Sequence, residues 1–324
     1  MSETNTAEVQ WGGRTDRHMA KLAWAAALVT MLGATAARAQ TFLDQVWGPL
    51  PCGTQVMTDP FRDQSGAVNE RDIVGDLGAP AGYSASDGEF LYLSLRLDQD
   101  PAPGGKLHPF AWGIGISVDN DPTTYEILLM VNGNSSQVEV YENTSTTIAD
   151  DPRDPADQPA VTSYPFTTHS QASVAPGSGY GSDPDYFLDF AVPWSALQPL
   201  GLTPVTPVTV WAGSSSTANT LNGDLACHDG SNRAPTLSGV AGGSTVLDPA
   251  RDTDGDGYPD RVEVQAGTDP SDPNSTPSGP PPPYPTAAGV DLEGGGGCTL
   301  GPRSAQPWLA LLLLAGLLAR RRKR

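Results

Sequence analysis

Two segments of strict alternation constrain this chain most. Across residues 89–97 every second residue is leucine, at Leu91, Leu93, Leu95 and Leu97. Across 110–118, Phe110, Trp112, Ile114, Ile116 and Val118 alternate with Ala111, Gly113, Gly115 and Ser117. A period of two puts each set on one face of an extended strand, whereas a helix would scatter it around the axis. The second segment sets a bulky face against a thin one, where another backbone or a ligand can approach closely. Residues 124–131, 137–141, 186–192 and 205–212 repeat the alternation. Turn formers lie between them, among them Asp119 to Pro122, Asn132 to Asn134 and Gly177 to Gly179. The only helical signal between 41 and 247 is one short turn from Pro193 to Gln198, opened by proline. Short strands joined by polar turns predict a mainly β chain, with an antiparallel, jelly-roll-like β-sandwich over 41–247. Residues 146–184, rich in Asp, Pro, Ser and Gly, read as a surface excursion with little core of their own.

Both ends carry processing signals. Met19 to Lys21 opens a basic region, Leu22 to Leu32 is apolar, and Ala37-Arg38-Ala39 is a small-x-small cleavage site. Residues 1–39 therefore read as leader and signal peptide, with the mature chain starting at Gln40 and the true start at either Met19 or Met1. Residues 274–297 form a Pro/Gly-rich linker with a run of four prolines at 280–283, a semi-rigid spacer. Within 298–324, Cys298 follows four glycines and precedes an all-apolar stretch, Trp308 to Ala319, that ends in Arg320 to Arg324. That stretch is shorter than the roughly 20 residues a spanning helix needs. The basic end would stay on the cytoplasmic side. Either the tail is a plain membrane anchor or it is a cleaved sorting signal.

The order of glycine-cysteine, spacer, apolar helix and arginine-rich end resembles the MYXO-CTERM sorting signals of myxobacterial surface proteins. The resemblance implies that a sorting protease removes the helix and that Cys298 is the site of processing and lipid attachment. It implies export to the cell surface or outer membrane, with anchoring through the C-terminus.

The full chain has 18 Lys and Arg against 37 Asp and Glu. The leader holds 4 basic and 3 acidic residues and the tail after Cys298 holds 6 and none, which leaves 8 basic and 34 acidic, a formal charge of −26. Such a surface repels phosphate backbones and excludes nucleic acid as a partner. With Cys298 in the tail, Cys52 and Cys227 remain, either as separate buried thiols or as a disulfide in an oxidising compartment. As a disulfide they would contribute roughly 4–5 kcal/mol.

Asp252 to Glu263 carries oxygen ligands at loop positions one, three, five, seven, nine and twelve: Asp252, Asp254, Asp256, the Tyr258 carbonyl, Asp260 and Glu263. Gly257 occupies position six, where the chain must turn sharply. Calcium takes 6–8 such oxygens, so residues 252–273 read as a calcium-binding loop module. The segment to Pro270 resembles thrombospondin type 3 and dockerin-like calcium repeats, in a single copy.

Residues 86–93, 112–119, Tyr125-Glu126 and 186–194 resemble, in order, the strands of family 9 carbohydrate-binding modules and related DOMON-like sandwiches. That resemblance implies a β-sandwich that binds sugar or another small ligand. Trp112, Tyr125, Trp194 and Trp211 are the candidate stacking rings, with Glu126 and Asp119 as hydrogen-bond partners. The competing expectation for each ring is a place in the core, Trp112 above all. Asp119 to Asp121 either holds an ion or forms an ordinary turn.

Little points to catalysis. His108 precedes a strand, His169 lies in the polar excursion, and Cys227-His228-Asp229 are chain neighbours that cannot all converge on one reacting atom. No nucleophile-elbow, zinc-protease or phosphate-loop pattern occurs. The expectation is a non-enzymatic, surface-anchored binding protein for a carbohydrate or small ligand, with a structural calcium. The alternative is a structural or adhesive surface protein with no small ligand.

Overall fold

The computed structural model describes residue 42 and residues 45–64, 68–228 and 235–280. The leader, Asp229, the linker beyond residue 280, Cys298 and the apolar tail lie outside the described residues. Among the described residues no helix is long and apolar enough to cross a membrane.

The alternating segments become the centres of two antiparallel sheets. β1 (Gly48–Pro49), β4 (Gly82–Ser86), β5 (Phe90–Leu97), β11 (Tyr186–Pro193) and β10 (Ser170–Val174) form a five-stranded sheet in the order β1-β4-β5-β11-β10. β13 (Asp224–Leu225), β12 (Thr209–Ser215), β6 (Ala111–Ser117), β7 (Ile127–Asn132), β8 (Gln137–Glu142) and β9 (Thr162–Pro165) form a six-stranded sheet, β13-β12-β6-β7-β8-β9. A small hairpin, β2 (Pro51–Cys52) with β3 (Gln55–Val56), sits beside them. The four leucines of β5 and Leu188, Phe190 and Val192 of β11 share one buried cluster with Trp112, Ile114 and Ile116 of β6, Leu129 and Val131 of β7, and Val210 of β12. The two sheets therefore pack as a sandwich. Each large apolar side chain buried there contributes about 1.5–3 kcal/mol.

The six-stranded sheet is covered on its outer face as well. Tyr125, Leu128, Met130, Tyr141, Trp211, Leu221, Leu225, Leu237 and Val240 form a second apolar layer. The thin face of β6 makes this possible. Trp211 lies across from Gly115 in the β12–β6 register, and a Cβ added to Gly115 would stand 2.6 Å from the indole Nε1. What approaches closely is thus a side chain of the neighbouring strand.

The excursion contributes more structure than its composition predicts. Residues 162–174 supply β9 to one sheet and β10 to the other, joined by the short helix Phe166–His169. Edge strands need only their backbone groups paired, so polar side chains can remain outward and weaken the sequence signal. Asp154, 1% exposed, organises the preceding turn by accepting from the backbone N–H groups of Thr147 and Ile148, both at 2.7 Å.

Cys52 and Cys227 are joined in a disulfide across 175 residues, with Cα atoms 5.7 Å apart. The backbone N–H of Cys227 also donates to the Thr58 carbonyl at 2.8 Å. Residues 252–273 belong to the same compact unit as the sandwich. Arg261, on the helix Asp260–Ala266, is 6% exposed. Its guanidinium donates to the Val246 carbonyl at 2.8 Å, to the Pro49 carbonyl at 3.3 Å and to Ser84 Oγ. Burial lowers its pKa to about 10, against the opposing pull of Asp248.

Two stability experiments follow from this packing. Gly115→Ala forces the Trp211 ring aside, and overpacking of this kind costs about 1–3 kcal/mol; urea denaturation should show a lower midpoint at an unchanged slope. Arg261→Met removes the guanidinium donor from the Pro49 and Val246 carbonyls, a loss of about 1–3 kcal/mol where an acceptor stays dry and unpaired. Limited proteolysis should then cut residues 251–275 sooner than in the unmodified protein, and an unchanged cleavage pattern would count against the docking role of Arg261.

Candidate functional site

The acidic loop folds around its own carboxylates. Asp252 accepts from the backbone N–H of Gly255 at 2.7 Å through one oxygen and of Gly257 at 3.0 Å through the other. Asp254 accepts from the Asp256 N–H at 3.2 Å, and Asp256 from the Tyr258 N–H at 2.8 Å. Gly257 sits at φ +97°, a conformation that side-chain-bearing residues rarely adopt. These bonds turn the three aspartates toward one point, with one oxygen of each within 4.8 Å of the others.

The twelfth position closes the loop from the helix. Arg261 and Glu263 are two residues apart, about 200° around the axis, so one faces the sandwich while the other faces the loop. Glu263 is 0% exposed. Neither of its carboxylate oxygens has a hydrogen-bond partner, nor do Asp254 Oδ2 and Asp256 Oδ2. Burial, followed by Asp254, Asp256, Asp260 and Asp252, raises the Glu263 pKa to about 7. Buried carboxylates pointed at one another without donors are costly unless a cation lies between them. An all-oxygen donor set of this kind suits a hard cation, so the residues fit calcium.

Asp260 has a different task in this arrangement. Its two oxygens accept from the N–H and the hydroxyl of Thr253, at 2.7 and 2.6 Å, and Arg251 Nε lies 3.6 Å away. It braces the loop from the start of the helix. The Tyr258 N–H bonds Asp256, and its hydroxyl donates to the Gly279 carbonyl. Arg261, which fixes the whole loop to the sandwich, has no motif of its own; its only sequence signal is a cation inside an acidic segment.

The candidate sugar-stacking rings lie elsewhere and face inward, correcting the expectation of exposed platforms. Trp112 is 0% exposed and its Nε1 donates to the Glu70 carbonyl at 2.9 Å. Tyr125, 1% exposed, donates its hydroxyl to the Asp154 carbonyl at 2.6 Å and packs edge-on against Trp211, centroids 5.5 Å apart. Trp194 and Trp211 are each 2% exposed, and Trp194 Nε1 donates to Ser86 Oγ at 3.0 Å. Glu126 accepts from the Val118 N–H at 2.7 Å, and Asp119 from the Asp121 N–H at 2.9 Å. These two carboxylates close the 118–126 turn. Every aromatic ring among the described residues is buried or half-buried. Large apolar rings gain most from full burial, and the space between the sheets and under the outer layer of the six-stranded sheet takes up Trp112, Trp194, Tyr125 and Trp211. Cys227, within the Cys-His-Asp triplet, has its sulfur bonded to Cys52 and is no thiolate nucleophile.

The family model for the bacterial TSP3 repeat matches residues 252–273, the whole of the acidic loop and its helix. No curated protein and no solved structure matches the chain. The segment is thus similar to a type of extracellular structural repeat that typically binds calcium.

Proposed function

We propose that this protein is a calcium-stabilised structural or adhesive component of the cell exterior, in which a TSP3-type loop is clamped onto a β-sandwich. The observation that carries the reading is Glu263: a fully buried carboxylate without a donor, turned toward three converging aspartates. Asp252, Asp254, Asp256 and Glu263 would hold the ion. The ion would supply the positive charge that lets these groups ionise together, and the loop would then be rigid where the linker begins. The chain's own part is positional. Backbone N–H groups orient the aspartates, Thr253 and Asp260 brace the loop, and Arg261 ties the helix to residues 49, 84 and 246.

The inward placement of the aromatic rings favours this reading over sugar recognition, because stacking on a sugar needs an exposed ring face. Export and surface display through Cys298 belong to the same proposal and rest on the leader and tail sequences.

Two experiments test it. Calorimetry should give a loop affinity of roughly 10⁻⁴ to 10⁻³ M, as for other extracellular calcium modules. Asp254→Ala and Glu263→Gln should each remove one equivalent of bound calcium per chain, and an unchanged stoichiometry in both would sink the reading. For display, the intact mass of protein released from cells should correspond to a chain ending at or near Cys298. A mature protein that still carries residues 308–319 would refute the processing step.

A further inference from the structure

A second group of carboxylates is buried inside the sandwich, far in sequence from the loop. Asp59 follows β3 and is held by two backbone bonds to Gly75, both 2.9 Å. Asp63 lies four residues on, and Asp224 opens β13. One carboxylate oxygen from each lies within 4.8 Å of the others. Asp59 is 1% exposed and Asp224 6%. Asp224 has backbone donors, Ile73 N–H at 2.6 Å and Leu225 N–H at 3.0 Å. Asp59 has no hydrogen-bond partner on either oxygen.

Further charged groups surround the three. Asp72 adds a fourth carboxylate, 0% exposed, with one oxygen accepting from the Arg62 N–H at 2.9 Å and the other without a partner. Among the described residues the Arg71 guanidinium is stabilised by Asp224, and His228 Nδ1 lies 3.7 Å from Asp63 Oδ2. Burial, then Asp224, Asp63 and Asp72, hold the Asp59 carboxyl well above the usual carboxylate range. A cation among these oxygens would let them ionise together.

We propose that Asp59, Asp63 and Asp224 form a second calcium site, within the sandwich. Three carboxylate oxygens within 4.8 Å of one another stand close to the spacing that a shared ion bound at 2.3–2.6 Å requires. A divalent ion would offset the repulsion among these carboxylates, and an all-carboxylate set selects a hard cation over zinc or copper. The ion would join the segment before β4 to β13, beside the Cys52–Cys227 disulfide. Ile73, whose N–H bonds Asp224, also bridges Leu97 of the other sheet. The site therefore sits where the two sheets are tied together.

The test counts calcium per chain by calorimetry and by elemental analysis after gel filtration in millimolar calcium. The intact mature chain should bind two equivalents, Asp254→Ala one, Asp59→Asn one, and the double variant none. An Asp254→Ala chain that binds none would overturn the second site while leaving the loop intact as a proposal. An Asp59→Asn chain that still binds two would overturn it as well. Should Asp59→Asn fail to fold, the Asp254→Ala chain alone decides. Its melting temperature should rise by roughly 3–6 °C when calcium reaches tenfold its dissociation constant, and equal melting in calcium and in chelator would overturn the site. Protonated carboxylates in place of an ion predict that equal melting, because calcium then has no site left in the Asp254→Ala chain to bind and stabilise.

Discussion

The contact between the Trp211 indole and Gly115 decides much of the rest. β6 runs through the middle of the six-stranded sheet, and any side chain at position 115 would push Trp211 off the surface. With the ring seated, the outer face of that sheet becomes apolar enough to hold a second layer, and the chain has to supply the cover. It does so with residues from the excursion and from the stretch around β13: Ala156, Leu221, Leu225, Leu237 and Val240. Packing Leu221 and Leu225 fixes β13, and β13 carries Asp224 inward. A glycine in one strand thus sets the position of a carboxylate more than a hundred residues later. The same double coverage draws the large aromatic residues into the interior.

A second dependence runs through Arg261. In a chain with 37 acidic and only 18 basic residues, placing one cation out of solvent is expensive unless its hydrogen bonds are met. Three acceptors from the β1, β4 and Val246 regions meet them. The result is that the acidic loop has a sandwich as its neighbour. The roughly half-turn between positions 261 and 263 then links two chemistries, a buried guanidinium on one side and a buried carboxylate on the other.

Much of this was legible in the sequence. The alternating segments identified β5, β6, β7, β8, β11 and β12, because their central positions require apolar residues on a fixed period. β4, with its Gly-Tyr-Ser-Ala-Ser composition, and the edge strands β9, β10 and β13 were not legible, since pairing there rests on backbone groups that every residue carries. The acidic loop was legible because its ligands are local and their spacing is fixed by one turn of chain. The role of Asp260 was not, as spacing cannot distinguish a carboxylate facing an ion from one bonded to Thr253. The aspartates at 59, 63 and 224 left no pattern at all; they meet only because the disulfide and the β13 pairing bring distant segments together. For the aromatic residues the sequence left platform and core both open, because it shows one thin face on β6 and not the ring that fills it.

The disulfide also bears on how the protein withstands damage. Cys52 and Cys227 enclose nearly all of the strands, including the exposed turn at Pro176 and Gly177. A protease that cuts this turn divides the sandwich into two pieces, each with strands from both sheets, yet the pieces stay covalently joined. A nicked molecule would keep its mass apart from one added water, its core contacts and its attachment to the acidic loop. Outside a cell, where peptide bonds are exposed to foreign enzymes and cannot be repaired, such a chain tolerates a broken backbone for as long as its one sulfur–sulfur bond stays oxidised.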